Sequence, residues 1–219
     1  MIDFTSCQEL PSSYGGSEKK RKLVYSGENY LVKFPDPVRE QKNQLSYMNN
    51  QFSEYIGCHI FESVGIPAQE TLLGIYREPG GKEKIVVACK DFTTPGCVLQ
   101  EFSSLGNETT TIEYRIKPSI EDVYAVIEAQ PTTINKPEIM AAFWNMFVID
   151  ALIANKDRHL NNWGFLCAGG QVTFSPVYDC GSSLHALLSD ERCGELLADY
   201  TEFKNQCFNA FSAYSYNGM

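Results

Sequence analysis

Apolar positions in the first part of the chain alternate or run in short stretches; later they recur at helical spacing. "MIDFTS" reads as a weak strand and "QELPSSYGGSEKK" as a polar, glycine-bearing loop. "KLVYSGENYLVKFP" sets two apolar runs around Ser26-Gly27-Glu28-Asn29, which predicts a β-hairpin ended by Pro35 and Pro37. From Gln44 to Val64 the apolar residues Leu45, Met48, Phe52, Tyr55, Ile56 and Ile60 keep a helical period, and Gly65 and Pro67 close the helix. "TLLGIYRE" and "KIVVACKDF" predict two strands joined by the turn Pro79-Gly80-Gly81. "TTPGCVLQEFSSLGNETTT" is rich in small and polar residues and reads as a linker.

After Ser119 the pattern becomes helical. "SIEDVYAVIEAQ" opens with a serine and early acids, which suit a helix N-terminus. "NKPEIMAAFWNMFVIDALIAN" carries Pro137 in its first turn. Its residues from Ile139 to Ala154 are apolar nearly all round, so burial on most sides is expected. "NWGFLCAGGQVTFSPVYD" predicts two strands around Ala168-Gly169-Gly170, and the terminal "YTEFKNQCFNAFSAYSYNGM" is polar and aromatic without a strong helix stop. A β-rich first part and a helix-rich second part imply an α+β protein of two lobes, residues 1–95 and 96–219.

Composition narrows the function classes. The chain has 219 residues, 43% hydrophobic and 21% charged, ordinary for a globular protein. A formal net charge of −9 argues against a nucleic-acid-binding surface. The basic cluster Lys19, Lys20, Arg21 and Lys22 is either a solvated hairpin edge or an anion-facing group placed just after a glycine pair. No run approaches the roughly eighteen apolar residues of a membrane span, so no membrane association is expected. The N-terminus has no basic segment leading into an apolar one, and a cytoplasmic location is the expectation. The eight cysteines form no C-x-x-C pair, so zinc-ribbon and thioredoxin readings lack support and reduced thiols are expected.

Candidate chemistry concentrates in "NKDRHLNNWGF", residues Asn155 to Phe165. Asn162 and Asp179 lie nearly equidistant from the turn of the following hairpin. Antiparallel pairing should set them side by side, near Asp157. A carboxylate and a carboxamide so placed are hard oxygen donors of the kind that bind Mg²⁺ together with substrate phosphates. Each residue also has a plainer reading: Asp179 as a turn cap, Asn162 as a hairpin-end residue, His159 as a structural hydrogen bonder, Arg158 as the partner of a loop carboxylate.

"NKDRHLNNWGFL" followed by "SPVYDCGSSL" resembles the HipA-like serine/threonine kinases, a bacterial family that often works in toxin–antitoxin pairs. "SYGGSEKKRKLVYSGENYLVKFP", "SEYIGCHIFESVGIP" and "VVACKDF" fit the same family in the same order. The resemblance implies a two-lobed protein-kinase-like fold that uses ATP and Mg²⁺ on a protein serine or threonine hydroxyl. Asp157 would be the catalytic base or hydroxyl-positioning acid, and Asn162 and Asp179 the metal ligands. Lys33 would hold the α/β-phosphates, with Glu54 as its helix partner and Glu62 as the fallback. Gly15, Gly16 and Ser17 would lie in the phosphate loop, where Ser12, Ser13 or Ser17 could be autophosphorylated; the strict G-x-G-x-x-G pattern is absent. Lys90 would sit beside the nucleotide, at the start of the hinge.

The resemblance also implies a small antitoxin-type partner. The chain reaches Met219 soon after Asp179, where relatives continue with further helices, so a shortened second lobe is expected. Two other readings stay open. One is a weakly active or inactive nucleotide- or partner-binding relative; the other, suggested by D-R-H-x-x-N as in phosphatidylinositol kinases, is a kinase of lipids or small molecules.

Overall fold

A computed structural model describes residues 1–11, 19–35, 49–81, 83–109, 118–131, 134–186, 188–208 and 212–215. Strands come first. β1 (Ile2–Asp3) and β2 (Gln8–Leu10) precede the hairpin of β3 (Lys20–Tyr25) and β4 (Glu28–Lys33). Its turn is Ser26-Gly27, with φ of 53° and 82°, the left-handed pair that matches strand twist in a two-residue hairpin. Helix α1 (Asn50–Ser63) follows, then β5 (Thr71–Arg77) and β6 (Glu83–Lys90).

Among the described residues these strands form one sheet in the order β1-β5-β6-β4-β3-β2, with β1 parallel to β5 and the other pairs antiparallel. Alternation gives the sheet two different faces. Leu23, Tyr30, Val32, Phe34, Val86 and Ala88 close a core with Phe4 and Tyr76. The opposite face carries Lys33, Val87 and Cys89 at matching register, and α1 packs on β5 and β6.

The second half adds β7 (Cys97–Glu101), α2 (Phe102–Thr109), α3 (Ile120–Ala129), α4 (Lys136–Leu152), β8 (Gly164–Ala168), β9 (Gln171–Phe174), α5 (Asp190–Ala198) and α6 (Tyr200–Phe208). Strands β7-β8-β9 make an antiparallel sheet. α3 starts at a capping box between Ser119 and Asp122. Trp163 anchors this half: it is fully buried, stacks on Phe102 at 4.1 Å, and donates its indole N–H to Tyr214 at 2.7 Å. Cys58 and Phe61 of α1 belong to this core too, so the helix is buried by both halves.

The architecture is α+β, as the pattern implied, with local corrections. The expected loop after "MIDFTS" contains β2, and the expected linker after Phe92 contains β7 and α2, with Phe102 buried. α1 begins at Asn50, after a turn at Asn49; the expected start at Gln44, with Leu45 and Met48, lies outside the described residues. Its buried face is Glu54, Gly57, Cys58 and Phe61, whereas Ile56 of the expected apolar stripe is exposed. α4 is not buried on most sides: Val148 and Leu152 are 60% and 73% exposed. The tail holds a helix, α6. No helix among the described residues is long and apolar enough to cross a membrane.

Candidate active site

Lys33 ends β4 on the face turned toward α1. Its ammonium lies 3.0 Å from Glu54 Oε2 and 2.7 Å from Asp179 Oδ1. Lys33 and Glu54 are both buried, so the ion pair is shielded from solvent. One ammonium thus serves two carboxylates, which titrate differently. Burial pushes the Glu54 carboxyl up, against the pull of Lys33, and nearby Asp179 adds to the rise. Burial pushes Asp179 up as well, but Lys33, with smaller contributions from Lys20 and Arg158, brings it down to about 2. α1 is therefore tied to the segment that bears Asp179 by charge, through the Lys33 ammonium.

Asp157 sits in the loop after α4, half-exposed, with its N–H donated to Asn155 Oδ1 at 3.3 Å. His159 Nε2 is 3.8 Å from Asp157 Oδ1. Asn162 donates Nδ2–H to the Asp157 carbonyl at 2.8 Å. That bond fixes the carboxamide with Oδ1 as its remaining acceptor.

The hairpin register differs from expectation. Phe165 faces Phe174 and Ala168 faces Gln171, a register that, extended outward, sets Asn162 against Val177 rather than Asp179. The second strand also leaves the ladder: Val177 bridges Ala68 in parallel, and its N–H donates to Pro67. What joins the two segments is Arg158. Its guanidinium donates to the carbonyls of Asn162, at 2.5 Å, and Tyr178, to Cys180 Sγ at 3.4 Å, and to both oxygens of Asp150 at 2.8 and 3.2 Å. Arg158 is 2% exposed and Asp150 5%. Asn155 donates to Asp150 Oδ1 at 2.8 Å, which carries the network back to the Asp157 loop.

The sequence reading paired Arg158 with a loop carboxylate; the partner belongs instead to the apolar helix α4. The available signal was Asp150 itself, a charge inside "FVIDAL" that requires a buried counter-charge.

Lys33, Glu54 and Asp179 are thus in direct contact, and Asp157 and Asn162 share a second contact set joined to the first through Arg158. Lys90 is not brought to this cluster. It pairs with Tyr30 in register, on the sheet face opposite Lys33, and its ammonium lies 3.3 Å from Glu70 and 3.6 Å from Glu28. Gly15, Gly16 and Ser17, like Ser12 and Ser13, lie outside the described residues. Among the described residues no three His, Cys, Asp or Glu side chains could hold a metal by themselves. The donor set does fit Mg²⁺ bound jointly with phosphate: one carboxylate, Asp179, and one carboxamide oxygen, Asn162, both hard and incomplete without further oxygens.

Comparison with known proteins gives the family. The model of the HipA-like C-terminal domain matches residues 12–212. The serine/threonine-protein kinase CtkA of Helicobacter pylori strain J99 is 42% identical over 214 residues, 95% of this chain; the chain spans 63% of that protein's length. The crystal structure of the Helicobacter pylori proinflammatory kinase CtkA superposes with a TM-score of 0.85 at 40% identity, over 99% of this chain and 73% of that one. A Shewanella oneidensis complex of HipA, HipB and operator DNA gives 0.46 at 18% identity, over 77% of this chain and 43% of that one, too slight a likeness to bear on the fold.

Proposed function

From a chain that belongs to the HipA-like C-terminal domain family, with Lys33, Glu54 and Asp179 in one ion cluster, we propose a Mg²⁺- and ATP-dependent protein serine/threonine kinase. The observation that carries the proposal is Lys33, held between the buried carboxylate of Glu54 on α1 and the partly exposed carboxylate of Asp179. A lysine so fixed is aimed at the cleft rather than at bulk solvent, and it can neutralise phosphate oxygens without searching for a rotamer. Asp179 and the Asn162 Oδ1 would hold Mg²⁺, which supplies charge neutralisation along the phosphates. Asp157, half-exposed and fixed at its backbone, would orient the attacking hydroxyl and accept its proton. The acceptor would be a protein serine or threonine, including hydroxyls of the chain's own residues 12–18.

Mass spectrometry after incubation with Mg²⁺-ATP, beside Asp157→Ala and Asp179→Ala, tests the reading. Phosphate on the chain or on an added protein should fall by roughly 10²-fold or more in Asp157→Ala. Mg²⁺-dependent ATP binding without any transfer would instead identify a non-catalytic nucleotide-binding relative. Phosphate delivered to phosphoinositide vesicles but to no protein would favour a lipid kinase.

A further inference from the structure

A cleft of about 270 Å³ lies between three segments of the chain. One wall is the loop that follows α1, Gly65 to Pro67. The second is one face of the first part of α4 and its cap, with Asn135, Glu138, Ile139, Ala142 and Asn145 at helical spacing. The third is β9 and the chain after it, between Val172 and Val177. Backbone joins the first wall to the third: Val177 donates its N–H to Pro67 O at 2.9 Å, and Gln69 donates to Val177 O at 2.8 Å. Lys33, Glu54, Asp157, Asn162 and Asp179 do not line the cleft, so it is separate from the ion cluster.

The body of the cleft is apolar, from Ile66, Pro67, Ile139, Ala142, Val172 and Phe174. Ser175 adds a hydroxyl to it. The residue is 3% exposed, its N–H is taken by Gly164 O at 3.0 Å, and its Oγ has no hydrogen-bond partner among the described residues. A buried hydroxyl left unpaired is destabilising, and such groups are uncommon in native proteins. A molecule in the cleft would complete it.

The charge of the lining has one sign. Glu138 is its one ionisable residue, and no Lys, Arg or His among the described residues lines it. The start of α4 is already served: Asn135 Oδ1 accepts the Glu138 N–H at 3.4 Å, and Glu138 is the acid of the first turn. An anion entering the cleft would meet a like charge, whereas a cation would be matched. An apolar cavity of about 150 Å³ holds one benzene, so this space suits a body of about two rings.

We propose that this cleft is a binding site for a small aromatic amine, whose ammonium faces Glu138 and whose ring donates a polar hydrogen to Ser175 Oγ. The proposal is independent of phosphoryl transfer. A molecule seated there touches both the loop after α1 and the strand that leads, two residues beyond Val177, to Asp179. Its binding should therefore tighten the backbone bridge between those walls.

NMR titration of the full chain, labelled at the isoleucine and valine methyls, tests this with three probes of similar shape: tryptamine (a cation), tryptophol (neutral) and indole-3-propionate (an anion). Tryptamine should give saturable shifts at Ile66, Ile139, Val172 and Val177, with a dissociation constant on the order of 1 mM or below. Tryptophol should bind roughly threefold more weakly, and the anion more weakly again. Glu138→Gln should weaken tryptamine by the same roughly threefold and leave tryptophol unchanged. Ser175→Ala should weaken both about fivefold without lowering the thermal midpoint, because it removes no bond within the chain. At ten times its dissociation constant, tryptamine should slow amide exchange of Gln69 and Val177 about tenfold. Shifts that do not saturate at these methyls, shifts spread evenly over the chain, or equal binding of all three probes would overturn the site. So would Ser175→Ala binding tryptamine and tryptophol as the parent does, or exchange at Gln69 and Val177 that tryptamine leaves unchanged.

Discussion

Replacing Arg158 by methionine removes five donors from a site with almost no access to water. Asp150, 5% exposed, loses both of its guanidinium contacts and keeps the Asn155 amide. Breaking one side of a buried ion pair costs about 3–5 kcal/mol, because the remaining charge has no compensation. The carbonyls of Asn162 and Tyr178 lose a donor as well, at about 1 kcal/mol each where water does not reach them. Against a total stability of about 5–15 kcal/mol for a domain, the sum is severe. At roughly 2–4 °C per kcal/mol for a chain of this size, the thermal midpoint should fall by about 10 °C or more. Urea unfolding of Arg158→Met, Asp150→Leu and the double variant measures the coupling. The double variant has no buried charge to strand and should recover about 2 kcal/mol or more relative to the sum of the singles. Phosphoryl transfer should not recover with it, because the Asn162 and Tyr178 carbonyls remain untied. A loss below about 1 kcal/mol in Arg158→Met, or strict additivity of the two singles, would refute the buried-clamp account.

Two further outcomes follow from the same cluster. Asp179 is held at about 2 in the folded chain against an ordinary 3.8, so it contributes stability that is complete above about pH 4 and is lost as the pH falls toward 2. Asp179→Asn should flatten the decline of the thermal midpoint across that window, and parallel curves for the two proteins would show that the Lys33 contact carries no such linkage. Gly57 of α1 lies against Cys180, where an added Cβ would come within 2.7 Å of the cysteine Cβ. Gly57→Ala should therefore destabilise by about 1–3 kcal/mol although alanine is the better helix former, and Cys180→Gly on that background should restore stability; a stabilised Gly57→Ala would show that the helix can move off the Asp179 segment at little cost.

The parts of this fold that were legible in the sequence are those decided by local rules. Ser26-Gly27 specifies a two-residue turn, and the turn fixes the register that sends Lys33 to one face of the sheet. Ser119 and Pro137 mark helix starts for reasons of capping and φ. In α1 the helical period of the apolar residues does not by itself mark the buried side: Ile56 is 43% exposed, whereas Glu54, expected as the partner of Lys33, is buried. The buried face is built around Glu54 and Gly57, whose burial is supported by Lys33 and by the close approach of Cys180, and periodicity cannot see either. The linker reading of residues 97–109 failed because short strands and helices of small residues acquire their order from β8 and Trp163, distant in sequence.

Counting from the hairpin turn sets Asn162 against Asp179, yet the ladder does not extend that far and runs two residues out of that register. A buried guanidinium does what strand pairing was expected to do. That difference has a physical consequence. A ladder would hold the segment through its backbone alone, whereas Arg158 holds it through a charge balanced on α4. Asp179 itself adopts φ of 58°, a left-handed conformation uncommon outside glycine though accessible to aspartate, between the Lys33 ammonium and the Arg158-bound Tyr178 carbonyl. Strain of that kind persists only where the surroundings over-determine it. The site therefore lies where local propensity stops deciding the conformation, and two buried cations, Lys33 and Arg158, decide it instead.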